Sequence, residues 1–113
     1  MKIDFIAIDL ITFHDLSINR LSIEYGTHPK FEIDISVFDN ASNDYLDKTI
    51  IFGELINICI SEVTSIHLSV CEIYSFDYFL KGDLFFGKMI LLQGIGEASC
   101  EIEFSCRSVI VVE

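Results

Sequence analysis

The side chains able to do chemistry in this chain are 4 cysteines, 3 histidines and 18 carboxylates, in 113 residues. Cys100 and Cys106 share a parity in the alternating stretch ASCEIEFSCRSVIVVE. Six residues of extended strand hold them about 20 Å apart, beyond the ~7 Å between Cα atoms that a disulfide allows and far beyond a shared zinc ion. Cys59 and Cys71 lie in other segments without a C-x-x-C spacing, so all four cysteines are expected as buried free thiols. His14, His28 and His67 are scattered. His14 and Asp15 could form a base and its orienting carboxylate, but neighbours on an extended chain point to opposite faces, so a turn is expected there instead. There is no G-x-S-x-G, S-x-x-K or P-loop, and no catalytic, metal-binding or cofactor-binding residue is expected.

The carboxylates leave more to work with. Glu32 with Asp34, and Glu101 with Glu103, stand at i, i+2 and so share a strand face. That spacing would suit hydrolysis or a hard cation, although outward carboxylates on a strand ordinarily serve as its solvated face. With Glu24 they form a candidate partner-binding set, Glu24, Glu32, Asp34, Glu101 and Glu103, able to steer a basic protein.

The elements that must position them read as strands. Ile18 to Tyr25 and Phe31 to Phe38 alternate cleanly and are joined by Gly26 to Lys30, the clearest hairpin in the chain. Asp39 to Asp47, DNASNDYLD, has the composition of an exposed loop. Lys48 to Ile60 is a strand with a bulge or bend expected at Gly53. Ile66, Leu68 and Val70 have period two, and Tyr74 to Leu80 fits a strand or a short helix. Gly82-Asp83 and Gly94-Ile95-Gly96 bracket LFFGKMILLQ, which is apolar on both parities and expected to be covered on two sides. Lys2 to Phe13, also apolar on both parities, is read as a further extended segment. Abundant Ile and Phe, with no Trp, favour sheet over helix. The expected fold is a single domain over residues 1–113, all-β, a mostly antiparallel β-sandwich or curled barrel of seven to nine strands with at most one short helix.

Seven basic residues against the 18 acidic ones give a formal charge of −11, which repels phosphate backbones and anionic lipid. Nucleic acid and membrane are therefore not expected as partners. No secretory signal is read at the N-terminus, and the aliphatic runs are far shorter than the ~20 residues of a membrane span, so a cytoplasmic location is expected.

His14-Asp15 ahead of the hairpin, Thr49-Ile50-Ile51-Phe52-Gly53 with an aromatic before a bend, and a Gly94-x-Gly96 turn into a strand of alternating polarity form an ordered series. Over Phe13 to Val112 this series resembles small bacterial β-rich immunity proteins of polymorphic toxin systems and related uncharacterised families. Lys2 to Leu10 is an addition to that pattern. The resemblance implies a protein-binding inhibitor, not an enzyme, that neutralises a cognate toxin; such toxins are often basic nucleases. Two other readings stand beside it: a structural or assembly subunit using apolar strands to oligomerise, and a small-molecule or cation-binding barrel.

Overall fold

A computed structural model describes residues 3–61, 71–93 and 98–113 of the chain. The elements follow in the order α1 (Phe5–Asp9), β1 (Leu16–Glu24), β2 (Lys30–Asp39), β3 (Asp44–Ile60), β4 (Cys71–Lys81), β5 (Leu84–Gln93) and β6 (Ala98–Val112). The strands close into one antiparallel barrel in the order β1-β2-β3-β6-β5-β4. The all-β expectation holds, but six strands among the described residues replace the expected seven to nine. The Ile66 to Val70 run and the Gly94 to Gly96 turn lie outside the described residues.

Two segments depart from their expected structure. Lys2 to Phe13 contains a helix: Asp4 caps it by accepting the Ala7 amide at 3.2 Å, and Ile8 is fully buried while Ile6 and Leu10 are 77% and 81% exposed. A strand would have put those three on one face; a helical turn separates them. The segment closes one end of the barrel, with Ile3 bridging to Val109 and Phe13 edge-on to Phe76 at 4.9 Å. The second segment is Asp39 to Asp47. Only residues 40–43 form the connection, with Asn43 at φ 56°, and the ladder runs on to Asp39 opposite Asp44. Local Asn and Asp content suggests a loop, yet the pairing of Phe38 with Tyr45 and Val37 with Leu46 carries the sheet through it.

The β1–β2 hairpin forms as expected, in the register Leu21 to Ile33 and Glu24 to Lys30. Tyr74 to Leu80 belongs to β4 and is strand throughout. The bend in β3 falls just after Gly53, at Glu54, whose φ is 49°, and the register with β6 shifts between Leu55 and Asn57. In β5 the expected two-sided cover gives way to simple alternation: Phe85, Gly87, Met89 and Leu91 are buried, while Lys88 is exposed and Phe86 and Ile90 are half-buried.

Aromatic rings fill the interior, as the small bore of a six-stranded barrel requires. Phe104 lies 4.6 Å from Phe52 and 5.4 Å from Phe31, centroid to centroid. Gly87 makes this packing possible. A Cβ there would stand 2.6 Å from Phe104 Cζ and 2.8 Å from Phe76 Cε1, so the missing side chain is the space the rings occupy. Among the described residues no helix is long and apolar enough to cross a membrane.

Candidate protein-binding surface

Alternation along β2 buries Phe31, Ile33 and Ile35 completely and turns Lys30, Glu32, Asp34, Ser36 and Phe38 outward. Antiparallel register then fixes their neighbours. Arg20 and Glu24 on β1 stand opposite Asp34 and Lys30, and Tyr45, Asp47 and Thr49 on β3 stand opposite Phe38, Ser36 and Asp34. The result is one continuous outer face across three strands.

Its lower half is a charge network. Arg20 reaches Asp34 at 2.7 Å and Glu32 at 2.9 Å, and Lys30 reaches Glu32 at 2.8 Å and Glu24 at 3.8 Å. Thr49 Oγ1 donates to Asp34 Oδ1 at 2.7 Å. The hydrogen bonds from Lys30 and then Arg20 hold Glu32 below its ordinary carboxylate range. Those from Arg20 and Thr49 do the same for Asp34. Hydrogen bonds to Asp34 and Glu32 raise the pKa of Arg20 in turn, and the Glu32 bond followed by the nearby Glu24 charge raises that of Lys30.

The upper half differs. Ser36 Oγ accepts from Asn19 Nδ2 at 2.9 Å and donates to Asp47 Oδ1 at 3.0 Å. Beyond that point, among the described residues, β2 and β3 pair only with each other, because β1 meets β2 no further than Ile35 and β6 meets β3 no further than Thr49. Residues 36–48 thus form a hairpin that projects past the barrel wall. Phe38 and Tyr45 face each other on it, edge to face at 5.3 Å, and are 45% and 65% exposed. Asp47 shares their face, Asp39 and Asp44 stand opposite each other on the reverse face at the hairpin's end, and among the described residues none of the three forms an ion pair. Asp39 instead accepts the Ser42 amide at 3.1 Å, which holds the turn.

Glu101 and Glu103 belong to a different place. Both face Lys88 on β5, at 3.0 and 3.9 Å. Glu103 and Lys88 line an open depression of about 530 Å³ together with Asp77, Phe79, Phe86 and Cys59. Phe79 and Phe86 stack there at 5.0 Å and 11°. Glu103 faces Cys59 on β3, whereas Asp34 faces Thr49. Ten residues of strand, about 30 Å of path along the curved wall, separate the two positions. The five carboxylates singled out from sequence therefore form two groups, each partly neutralised by lysine or arginine across the strands.

The remaining candidates resolve as follows. Cys100 and Cys106 are buried, and Cys59 is exposed, contrary to the expectation that it would lie in the core. The bulge that ends at Asn57 turns it outward, level with Glu103. Cys71 is paired in β4 opposite Gln93. Burial pushes the Cys106 thiol up to about 12. His14 and Asp15 do meet, Nε2 to Oδ2 at 3.3 Å, because Asp15 adopts φ 66° and abandons the extended geometry that would have parted them. His14 Nδ1 also contacts the Tyr74 carbonyl at 2.6 Å, so the pair clips the β1 turn onto β4. Among the described residues no group of three His, Cys, Asp or Glu side chains could hold a metal ion.

Fold and surface together define a small closed β-barrel, plugged at one end and carrying an acidic, aromatic hairpin. Comparison with protein-family models, with curated proteins and with solved structures finds no match. Sequence reading missed Phe38 and Tyr45 as a surface pair. The signal for it was the alternation Val37, Phe38 and Tyr45, Leu46 running into the polar tract from either side.

Proposed function

We propose that this chain is a protein-binding inhibitor that engages a basic partner through the projecting β2–β3 hairpin. The observation that carries this reading is the exposed Phe38–Tyr45 pair near the end of a projecting hairpin, with Asp47 on its face and Asp39 and Asp44 on the reverse, three carboxylates that form no ion pair among the described residues. Aromatic side chains, Tyr above all, supply much of the energy of protein interfaces, and uncompensated charge around them steers encounter with a partner of opposite sign. Glu24, Glu32 and Asp34 lie on the same face and add to the field, although Arg20 and Lys30 reduce their share. The formal charge of −11 and the resemblance to immunity proteins of polymorphic toxin systems support a basic toxin domain as the partner, with the chain acting by blocking it, without chemistry of its own.

The test is calorimetry and stopped-flow binding against the basic C-terminal domain of a toxin encoded beside this chain, with toxin activity read in parallel. A stoichiometric, inhibitory complex is expected, with an on-rate that falls as salt rises from 50 to 500 mM. Tyr45→Ala should weaken it through faster dissociation, by about tenfold or more. Asp39, Asp44 and Asp47 changed together to Asn should chiefly slow association. Binding indifferent both to Tyr45→Ala and to salt, or no binding at all, refutes the proposal.

A further inference from the structure

Among the described residues β4 pairs with β5 from Cys71 to Lys81, and with β1 at Leu16 opposite Ile73 and Ser17 opposite Glu72. From Tyr74 to Lys81 no described strand lies on the second edge of β4. An open edge is a template for another strand, and natural sheets ordinarily guard it with charge, proline or a covering element.

The direction of the unused backbone groups can be read from the hairpin. Lys81 and Leu84 flank a two-residue turn in which Gly82 has φ +64°, the geometry in which the flanking pair exchanges both backbone hydrogen bonds. Alternation then points the amides of Asp77 and Phe79 at β5 and those of Phe76, Tyr78 and Leu80 at the open edge. The Tyr74 carbonyl follows the same parity, since it meets the His14 ring on the β1 side. Large apolar side chains stand along this edge unprotected. Phe79 is 56% and Leu80 44% exposed, and on α1, tied to β4 by the Tyr78 hydroxyl donating to Asp9 at 2.9 Å, Ile6 and Leu10 are exposed further still.

We infer that the β4 edge is the interface of a homodimer, in which the β4 strands of two copies pair antiparallel about a two-fold axis at Phe79. The segment is self-complementary in that register. Tyr78 faces Leu80 of the second copy, so the outward-pointing backbone groups bond each other. Phe79 faces its own counterpart and Asp77 faces Lys81, both at positions without cross-strand backbone bonds, where side chains come closest. Asp77, Phe79 and Lys81 share the outer face, so each copy offers one anion and one cation on either side of a central ring. The two-fold gives two Asp77–Lys81 pairs. A shift of two residues would lose the ring pair in either direction, setting Asp77 against Phe79 and Lys81 against Ser75 in one and Lys81 against Phe79 and Asp77 against Asp83 in the other. Leu80, 44% exposed on the opposite face, supplies apolar area beside the strand pair.

The test is a charge swap read by analytical ultracentrifugation of the full chain. The wild type should sediment as a dimer at micromolar concentration. Asp77→Lys places two lysines opposite each other and Lys81→Asp places two aspartates opposite each other. Each variant alone should therefore be a monomer, with dissociation constants raised at least about tenfold. Both positions are exposed, so each variant should keep the wild-type circular dichroism and melting behaviour. Mixing the two variants restores both ion pairs and should yield a heterodimer. A wild type that stays monomeric up to about 100 μM overturns the inference. So does a dimer that either single substitution leaves intact, or a mixture of the two variants that remains monomeric.

Discussion

Replacing Gly87 by Ala tests the packing on which the barrel wall rests. The added Cβ would lie 2.6 and 2.7 Å from two carbons of the Phe104 ring and 2.8 Å from Phe76, against the ~3.5–4.0 Å of an ordinary carbon contact. The rings would have to retreat by about 1 Å. Phe104 is 4% exposed and already packs on Phe31, Phe52, Phe76 and Phe85, so it has little room to do so. Overpacking of this kind costs about 1–3 kcal/mol, offset by the ~0.5–1 kcal/mol by which Ala is preferred to Gly within a strand. A net loss of about 1–2 kcal/mol is expected in urea titrations, with an unchanged m-value. Phe104→Leu removes the ring that obstructs the new methyl group and carries a cost of its own. The double variant should then be more stable than the sum of the two single losses by about 0.5 kcal/mol or more. A Gly87→Ala variant as stable as wild type, or strictly additive losses in the cycle, would refute the account of the interior given above.

Two further outcomes follow from the ionisable groups. Glu32 and Asp34 titrate below their ordinary values of 4.5 and 3.8, so the folded state binds fewer protons than the unfolded one. Their stabilisation is complete above those ordinary values and is lost as pH falls through the lowered ones. Arg20→Met should therefore be less stable than wild type at pH 7 by thermal melting, with a gap that narrows as pH drops from 5 toward 2; a gap that widens refutes the network. At pH 8 a thiol pushed up to about 12 is ionised in only about one molecule in ten thousand, so Cys106 should resist iodoacetamide until the chain is unfolded. Exposed Cys59 should be labelled in the native protein, which peptide mapping distinguishes.

The legible part of the fold was the part encoded by neighbours in sequence. Phe31, Ile33 and Ile35 against Glu32 and Asp34 state which face of β2 is buried, and the five-residue link after Tyr25 states that β1 returns as β2. Alternation misled in Lys2 to Phe13, where Ile6, Ile8 and Leu10 at every second position also fit a helical turn once Asp4 caps it. Composition misled in DNASNDYLD, because an Asn- and Asp-rich tract can continue a ladder when the partner strand supplies Phe38 and Val37 opposite Tyr45 and Leu46. Closure of the barrel rests on β3 meeting β6 and β1 meeting β4, contacts between distant segments that leave no local periodic mark. The candidate site divides the same way. Acidic residue types were visible at once, whereas their neutralisation by Arg20, Lys30 and Lys88 follows from cross-strand register.

That distribution of cations bears on how so acidic a chain could work. Arg20 and Lys30 sit beside Glu24, Glu32 and Asp34, Lys88 beside Glu101 and Glu103, and Lys48 beside Glu113 at 3.2 Å. Arg20, Lys30 and Lys88 damp carboxylates on the barrel wall and Lys48 sits at the root of the hairpin, whose end, with Asp39, Asp44 and Asp47, projects negative charge near accessible aromatic surface. The β4 edge is the opposite case, since Asp77 and Lys81 cancel within the segment and invite a copy of the same sequence in place of a cation. The surface proposed for a basic partner and the edge proposed for a second copy thus lie on different strands and would obey different charge rules. A dimer built on β4 would leave both β2–β3 hairpins open and present two binding arms from one assembly.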